Sequence, residues 1–256
     1  MRVSDAMTPD VLTVARDETI VEAARRMIER WVGSAIVDPD PPGSSLGIIT
    51  ERDILGLVAA GRDPSTGHVA DYFTPDPICA RPDWSLEHAA EAMTAGGFRH
   101  LVVIDQDRVV GIVSIRDIVR AWTKGRARQA VAVQIREAMN RDLVTIGRKA
   151  TLREAARRMV ERRTGAAIVE SRRPNSPPGI ITDRELLETV AAGTDPDKER
   201  VVDHLSAGMT FSAPDWSLKQ AAEAMTGGGF QHVVVVDARG TVGIISMSDI
   251  IRRWID

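Results

Sequence analysis

The sequence predicts an α/β protein built from four copies of one unit, each a strand–helix–strand–strand–helix segment. The 256-residue chain aligns with itself, without a gap, when positions 6–122 are set against 138–254, and roughly half of the aligned residues are identical. A second shift, of 66 positions, aligns the two quarters within each half. The stretch GIITERD at 47–53 returns in related form at 111–117, 179–185 and 243–249. Self-similarity at a fixed period is typical of repeat architectures.

The four repeats together account for almost the whole chain. We place the four units at 1–67, 68–124, 137–199 and 200–256, with a connector and lead-in helix at 125–136. One unit cannot cover both faces of its own sheet, so pairing is expected on burial grounds. We therefore expect the first two units to form one module and the last two a second.

Each unit is predicted from the same signals, taken in chain order. A short extended piece such as VLTV precedes a good N-cap residue, and in three units Glu or Gln falls three positions later, which completes a capping box (Thr19–Glu22, Thr151–Glu154, Ser217–Gln220). The helix that follows carries one apolar stripe at helical spacing. Apolar runs such as SAIV and HVVVV predict buried strands. A second helix follows the repeated heptapeptide, and in the first unit Gly61 ends it.

Composition and net charge exclude several classes of protein. The net charge of −3 provides no general attraction to nucleic acid or to anionic membranes. The single cysteine, Cys79, excludes an internal disulfide framework and a cysteine-rich zinc site, and we expect no metal site. No apolar leader or bilayer-length run is present. These features predict a soluble, cytoplasmic protein.

The repeated heptapeptide has two interpretations. A hydroxyl at the end of a strand, followed three residues later by an acid, is a capping box, in which Glu185 serves as well as Asp53. Alternatively, the helix N-terminus binds an anion and the short carboxylate accepts the two hydroxyls of a ribose. In that case the extra methylene of Glu185 makes the third copy a weakened or altered site.

The motif, the unit length, the pairing and lines such as FRHLVVIDQDRVVGIVSIRDIV resemble the CBS-domain family, named for cystathionine β-synthase. The resemblance covers nearly the whole chain. It implies an α+β fold of the CBS type, with two tandem Bateman modules that hold adenosyl ligands in clefts between paired units. AMP, ADP, ATP or S-adenosylmethionine would be ligands rather than catalytic cofactors. In the family, two such modules commonly assemble as a disc, which one chain or a homodimer could supply here.

The resemblance also implies roles for individual residues. Three acids would hold ribose hydroxyls (Asp53, Asp117 and Asp249), and four hydroxyls would lie near phosphate (Thr50, Ser114, Thr182 and Ser246). Four residues would line the adenine (Thr13, Cys79, Thr145 and Phe211).

Basic residues distinguish the two halves. The first half has four candidate phosphate contacts (Arg52, Arg99, His100 and Arg116). The second half keeps Arg184 and His232, but Gln231 and Ser248 replace the counterparts of Arg99 and Arg116. A hydrogen bond to a charged group contributes about 1.5–3 kcal/mol. The sequence therefore predicts that the first module binds polyphosphates more tightly than the second.

We expect a regulatory, energy-sensing module that is not an enzyme and that transmits nucleotide occupancy to a partner protein. A nucleotide-processing enzyme is one alternative, but the sequence contains no HExxH, Walker lysine motif, nucleophile elbow or carboxylate metal cluster. A nucleic-acid binder with gathered basic helices and a purely structural scaffold are two others. Strong dependence of RNA or DNA binding on salt would favour the nucleic-acid binder.

Overall fold

The computed structural model describes residues 1–39, 45–124, 133–171 and 177–255. Of the connector predicted at 125–136, residues 125–132 lie outside the described residues. The lead-in helix predicted at its end is present, as α5 below.

Every repeat has the predicted order of elements. The first contains β1 (Thr13–Val14), α1 (Ile20–Glu29), β2 (Ser34–Val37), β3 (Gly47–Thr50) and α2 (Glu51–Ala59). A short strand, β4 (Thr74–Pro75), leads into the second repeat, which contains β5 (Cys79–Ala80), α3 (Leu86–Gly96), β6 (His100–Asp105), β7 (Arg108–Ser114) and α4 (Ile115–Lys124). The short helix α5 (Ile135–Ala138) precedes the third repeat, which contains β8 (Thr145–Ile146), α6 (Leu152–Glu161), β9 (Ala166–Val169), β10 (Gly179–Thr182) and α7 (Asp183–Ala191). The fourth contains β11 (Phe211–Ser212), α8 (Leu218–Gly228), β12 (His232–Asp237), β13 (Gly240–Ser246) and α9 (Met247–Ile255).

The sheet of each repeat is small and mixed. Its first strand runs parallel to the second, and the second pairs antiparallel with the third. In the first repeat β4 adds to the outer edge of β3. The central strands SAIV and AAIV are buried along their whole length, as expected for strands covered on both faces. The predicted α/β fold class is confirmed.

The helix signals read from the sequence are present in the structure. Thr19, Thr151 and Ser217 each form the predicted capping box. In the second repeat Ser85 accepts a hydrogen bond from the backbone N–H of His88, three residues on. On α1, the stripe Ile20, Ala23, Ala24 and Met27 is fully buried. These helices therefore form where capping and amphipathic spacing agree.

The chain divides into two compact units, and each unit contains alternate repeats. One, the even unit, contains Met1–Asp10, Ile78–Leu143 and Gly208–Asp256, and so the second and fourth repeats. The other, the odd unit, contains Val11–Pro77 and Val144–Ala207, and so the first and third. In the even unit α3 packs on α9 and α4 packs on α8 and α9. In the odd unit α1 packs on α7 and α2 packs on α6 and α7. Helix contacts therefore run across the two halves, and the predicted pairing of the repeats within each half remains a prediction.

A short turn precedes each repeat, and its backbone hydrogen-bonds to the other repeat of the same half. In the even unit the backbone N–H of Val3 donates to the Trp84 carbonyl, and that of Ile135 donates to the Trp216 carbonyl, both at 2.8 Å. In the odd unit the N–H of Val69 donates to the Glu18 carbonyl at 2.9 Å. Val3, Val69 and Ile135 are fully buried. The turn that precedes a repeat in the chain therefore belongs to the compact unit of its neighbour in sequence.

Candidate functional site

The repeated motif has one geometry in all four copies. In the second repeat the Ser114 hydroxyl donates to Asp117 Oδ2 at 2.6 Å, and the Ser114 backbone N–H donates to the same oxygen at 2.9 Å. The same pair of bonds joins the other three hydroxyl–acid pairs (Thr50–Asp53, Thr182–Glu185, Ser246–Asp249). The capping-box interpretation of the motif therefore describes every copy.

Amides at the start of each motif helix already have acceptors. The first helical N–H donates to the carbonyl of the residue that precedes the second strand of the repeat, as Ile115 does to Arg99 at 2.9 Å. The other three copies repeat this bond (Glu51 to Gly33, Asp183 to Gly165, Met247 to Gln231). The N–H of Asp117 also donates to the Ser114 hydroxyl, at 3.3 Å. An anion at this place must therefore be held largely by side chains.

In the even unit a histidine is the cross-strand partner of each motif hydroxyl. The register of each repeat places the last residue of the third strand opposite the first residue of the second strand. His100 is thus opposite Ser114, and His232 is opposite Ser246. The corresponding partners in the odd unit are Ser34 and Ala166. The even unit therefore places an imidazole at the position paired with each motif hydroxyl, where the odd unit has Ser34 and Ala166.

Arg99 and Gln231 meet within the even unit. Arg99 Nη1 donates to Gln231 Oε1 at 2.8 Å, and both side chains are partly buried. The two residues stand 132 positions apart and are equivalent in the internal alignment. A position at which the second half has lost an arginine is therefore also a point of contact between the second and fourth repeats.

Arg184 is engaged by several groups in the odd unit. Its Nη1 lies 3.2 Å from Glu51 Oε1 and donates to the Val32 carbonyl at 3.2 Å. Its Nε lies 3.6 Å from Glu188 Oε1, and its guanidinium lies 5.3 Å from the centroid of the Trp31 ring. Glu51 is only 4% exposed, so this arginine offsets the cost of a buried carboxylate. A phosphate would have to compete with these partners for Arg184.

The other two arginines of the motif differ in burial. Arg52 is exposed, and Arg116 is partly buried. Each is the second residue of its motif helix, the position that Arg184 and Ser248 hold in the second half. The contact of Arg52 and Arg116 with a ligand remains a prediction.

Comparison with known proteins identifies the repeats. A profile of the CBS domain matches residues 3–60, 69–124, 135–192 and 210–256, which is most of the chain. The chain belongs to the CBS-domain family.

Two relatives match this chain over aligned stretches of different length. Protein MJ1225 of Methanocaldococcus jannaschii is 30% identical over 198 residues, which are 74% of this chain and 70% of that protein. The CBS domain-containing protein YhcV of Bacillus subtilis is 38% identical over 117 residues, which are 45% of this chain and 81% of that protein.

Solved structures support the fold over the whole chain. The crystal structure of MJ1225, described as a proposed archaeal homologue of γ-AMPK, matches with a TM-score of 0.83 and 18% identity, over 99% of this chain and 100% of that chain. A protein of Pyrococcus horikoshii matches with a TM-score of 0.65 and 20% identity, over 99% of each chain.

The acids of the odd CBS repeats are partly buried. Burial raises the pKa of Asp53, against the hydrogen bonds from the Thr50 hydroxyl and N–H that lower it. Burial likewise raises the pKa of Glu185, against the lowering effects of the Ser206 hydroxyl and of the Thr182 hydroxyl and N–H. The Thr182 hydroxyl and N–H donate to Glu185 Oε2 as those of Thr50 donate to Asp53 Oδ2, so the extra methylene of Glu185 leaves the helix cap unchanged.

The predicted adenine-lining residues begin the first strand of each CBS repeat (Thr13, Cys79, Thr145 and Phe211). Cys79 pairs with Val102, two residues beyond His100, which is the partner of Ser114. One three-stranded sheet thus carries both the predicted adenine contact and the motif hydroxyl. Thr145 is exposed and the other three are partly buried. Burial raises the pKa of the Cys79 thiol, so it is held as an uncharged group.

Sequence reasoning missed two residues of these sites. Gln231 was read only as the loss of an arginine, and Glu51 was not considered. The internal alignment carried a signal for Glu51, because repeats 1 and 3 place Glu51 and Asp183 where repeats 2 and 4 place Ile115 and Met247. An acid at an otherwise apolar, buried position predicts a cationic partner.

Metal binding and membrane insertion are two other classes of function. Among residues 1–39, 45–124, 133–171 and 177–255, no three His, Cys, Asp or Glu side chains form a group suited to a metal ion. Within the same ranges no helix combines the length and apolar character needed to cross a bilayer.

Proposed function

We propose that this CBS-domain protein binds adenine nucleotides at the motifs of its repeats and transmits their occupancy to a partner protein, without catalysing a reaction on them. The observation that carries the proposal is the even unit, in which Arg99, His100 and His232 accompany two hydroxyl–aspartate motifs. Family membership supports an adenosyl ligand. The description of the relative MJ1225 as a proposed homologue of γ-AMPK supports a regulatory role.

In the proposed complex, Asp117 and Asp249 accept the ribose hydroxyls. Each uses Oδ2 for the helix cap, and the other oxygen lies 3.5 Å from an arginine one turn later, Arg120 or Arg252. A carboxylate can accept about four hydrogen bonds, so capping and sugar binding are compatible. Cys79 and Phe211 would contact the adenine, and Ser114 and Ser246 would lie near the phosphate.

We assign the stronger phosphate binding to the even unit rather than to the first half of the chain. The sequence placed Arg99 and Gln231 in separate halves, but the two side chains are hydrogen-bonded. The odd unit offers Arg184 already paired with a buried acid, and Glu51 adds a negative charge beside the motif. We therefore expect fewer than four nucleotides per chain, with the third repeat, which contains Glu185, the weakest.

Calorimetric titration of nucleotide-free protein tests this function. AMP, ADP, ATP and S-adenosylmethionine would each be titrated, and the tightest ligand repeated on Asp117→Asn. The amide can still cap α4 but accepts fewer hydrogen bonds, so we expect affinity to fall by about tenfold or more, the equivalent of about 1.5–3 kcal/mol for a charged hydrogen bond.

Glu154→Gln is the matched control. It neutralises a capping-box acid on α6, and Ser217–Gln220 shows that glutamine completes the same box. Its affinity should equal that of the wild type. Absence of binding by all four ligands would contradict the proposed function and leave the motifs as capping boxes of a scaffold.

A further inference from the structure

We propose that Gln231 is a positioning residue for phosphate recognition, because it holds the Arg99 guanidinium in place without adding a negative charge. The inference rests on the proposed nucleotide binding and adds a specific dependence of the second repeat on the fourth. Its basis is the 2.8 Å hydrogen bond from Arg99 Nη1 to Gln231 Oε1.

Both residues are fixed at their backbones by the motif helices. The Arg99 carbonyl accepts from the first N–H of α4 at 2.9 Å, and the Gln231 carbonyl accepts from the first N–H of α9 at 3.1 Å. The two motif helices pack on each other. The tip of Arg99 is therefore held by a residue whose own position is set by the opposite motif. An arginine ordered in advance loses less conformational entropy when it meets a ligand.

The chemistry of the acceptor matters as much as its position. An amide oxygen accepts one guanidinium N–H and is neutral, whereas a carboxylate at the same place would form an ion pair. The glutamine thus orients the guanidinium without itself placing a negative charge against it. An arginine at position 231, as the internal alignment would have it, could not accept this bond at all.

The odd unit lacks this device. The positions equivalent to Arg99 and Gln231 are Gly33 and Gly165. A Cβ at Gly33 would lie 3.1 Å from Glu51 Oε2, so a carboxylate lies close to where an arginine side chain would begin. The hydrogen-bonded arginine–glutamine pair is therefore specific to the even unit.

The test compares AMP with adenosine on the full-length chain, because the two ligands differ by the phosphate alone. Gln231→Glu should weaken AMP binding by about tenfold or more, since the new carboxylate competes for a charged hydrogen bond. Adenosine affinity should stay unchanged. Gln231→Ala keeps the charge of Arg99 but loses its orientation, and we expect an AMP loss of only a few-fold.

Gln220→Glu supplies the matched control in the same repeat. It adds the same charge on an exposed capping-box residue, where Glu22 and Glu154 serve in other repeats. Both ligands should bind it as they bind the wild type.

Three results would overturn the inference. AMP affinity unchanged in Gln231→Glu would remove the role of Gln231 and leave the proposed function intact. Equal losses for AMP and adenosine would show that Gln231 is structural. A wild-type protein that binds neither ligand would remove the inference and the proposed function together.

Discussion

At the residue scale, the hydroxyl–acid pair of each motif has two compatible uses. The acid caps its helix through one oxygen, an interaction that contributes about 1 kcal/mol to helix stability. The same carboxylate retains capacity for further hydrogen bonds. The motif alone therefore does not distinguish a purely stabilising role from a role in both stability and ligand binding. The residues next to the motif distinguish the two roles. In the even unit those neighbours are His100, His232 and Arg99.

The raised pKa values of Asp53 and Glu185 predict a pH dependence. When the folded-state pKa of an acid lies above the unfolded one, its contribution to stability increases as the pH falls, because the folded state binds more protons. We compare the wild type with the double variant Asp53→Asn/Glu185→Gln. The difference in the free energy of unfolding, wild type minus variant, should therefore rise as the pH is lowered from 7 to 4. It should level off below the unfolded-state pKa values of about 3.9 and 4.3. Urea denaturation at intervals of one pH unit measures this.

Glu22→Gln is the control for that experiment, with the opposite sign. The backbone N–H and hydroxyl of Thr19 lower the pKa of Glu22, so its stabilising contribution is lost as the pH falls through the folded-state value. A relative stability of the wild type that fell for both sets of variants would contradict the assignment of Asp53 and Glu185 as buried acids.

At the element scale, the first helix of every repeat ends at a residue with left-handed backbone. Gly97 and Gly229 have φ of 69° and 75° in the even unit. Trp31 and Arg163 have φ of 53° and 51° at the equivalent positions of the odd unit. This conformation destabilises a residue other than glycine by about 1–2 kcal/mol. Stacking of Trp31 with the Arg184 guanidinium offsets part of that free energy, because such a contact stabilises by about 0.5–1 kcal/mol.

Arg163→Gly should therefore stabilise the protein. The gain in the free energy of unfolding should be below about 1 kcal/mol, because glycine also loses more entropy on folding. Chemical denaturation measures the difference. The neighbouring Arg162→Gly is the control: Arg162 has φ of −95°, so glycine there relieves no strain and should destabilise. A destabilised Arg163→Gly would show that this helix end is not strained.

Most elements could be predicted from the sequence because each is specified locally. Capping residues such as Thr19 and the buried stripe of α1 fix a helix without reference to the rest of the chain. The partner of that helix could not be predicted, because an apolar stripe records that a face is buried and not which helix covers it. The same limit applies to the candidate site. The motif residues could be found by repetition, whereas the contact of Arg99 with Gln231 depends on which repeats pack together.

At the scale of the whole molecule, internal duplication predicts the behaviour of half a chain. Residues 1–124 contain α1 and α2, whose apolar faces pack on α7 and α6 in the 256-residue chain. A second copy of the half would offer α2 in place of α7 and α1 in place of α6. We therefore expect the isolated half to form a symmetric homodimer.

Sedimentation equilibrium of residues 1–124 would measure the mass, with the complete chain run in parallel as the reference. Two halves per particle, with helical content per residue matching the complete chain, is the expected result. A folded monomer of 124 residues would contradict it, because these faces would then be stable in water.

The packing of α1 on α7 also has a consequence for synthesis of the chain. About 150 residues separate the end of α1 from the start of α7. At about 5–20 residues per second, the ribosome takes roughly 8–30 s to deliver the second helix after the first. The nascent first half therefore spends that interval with an apolar helix face open to chaperones, or to the same face of another nascent chain on the same messenger RNA.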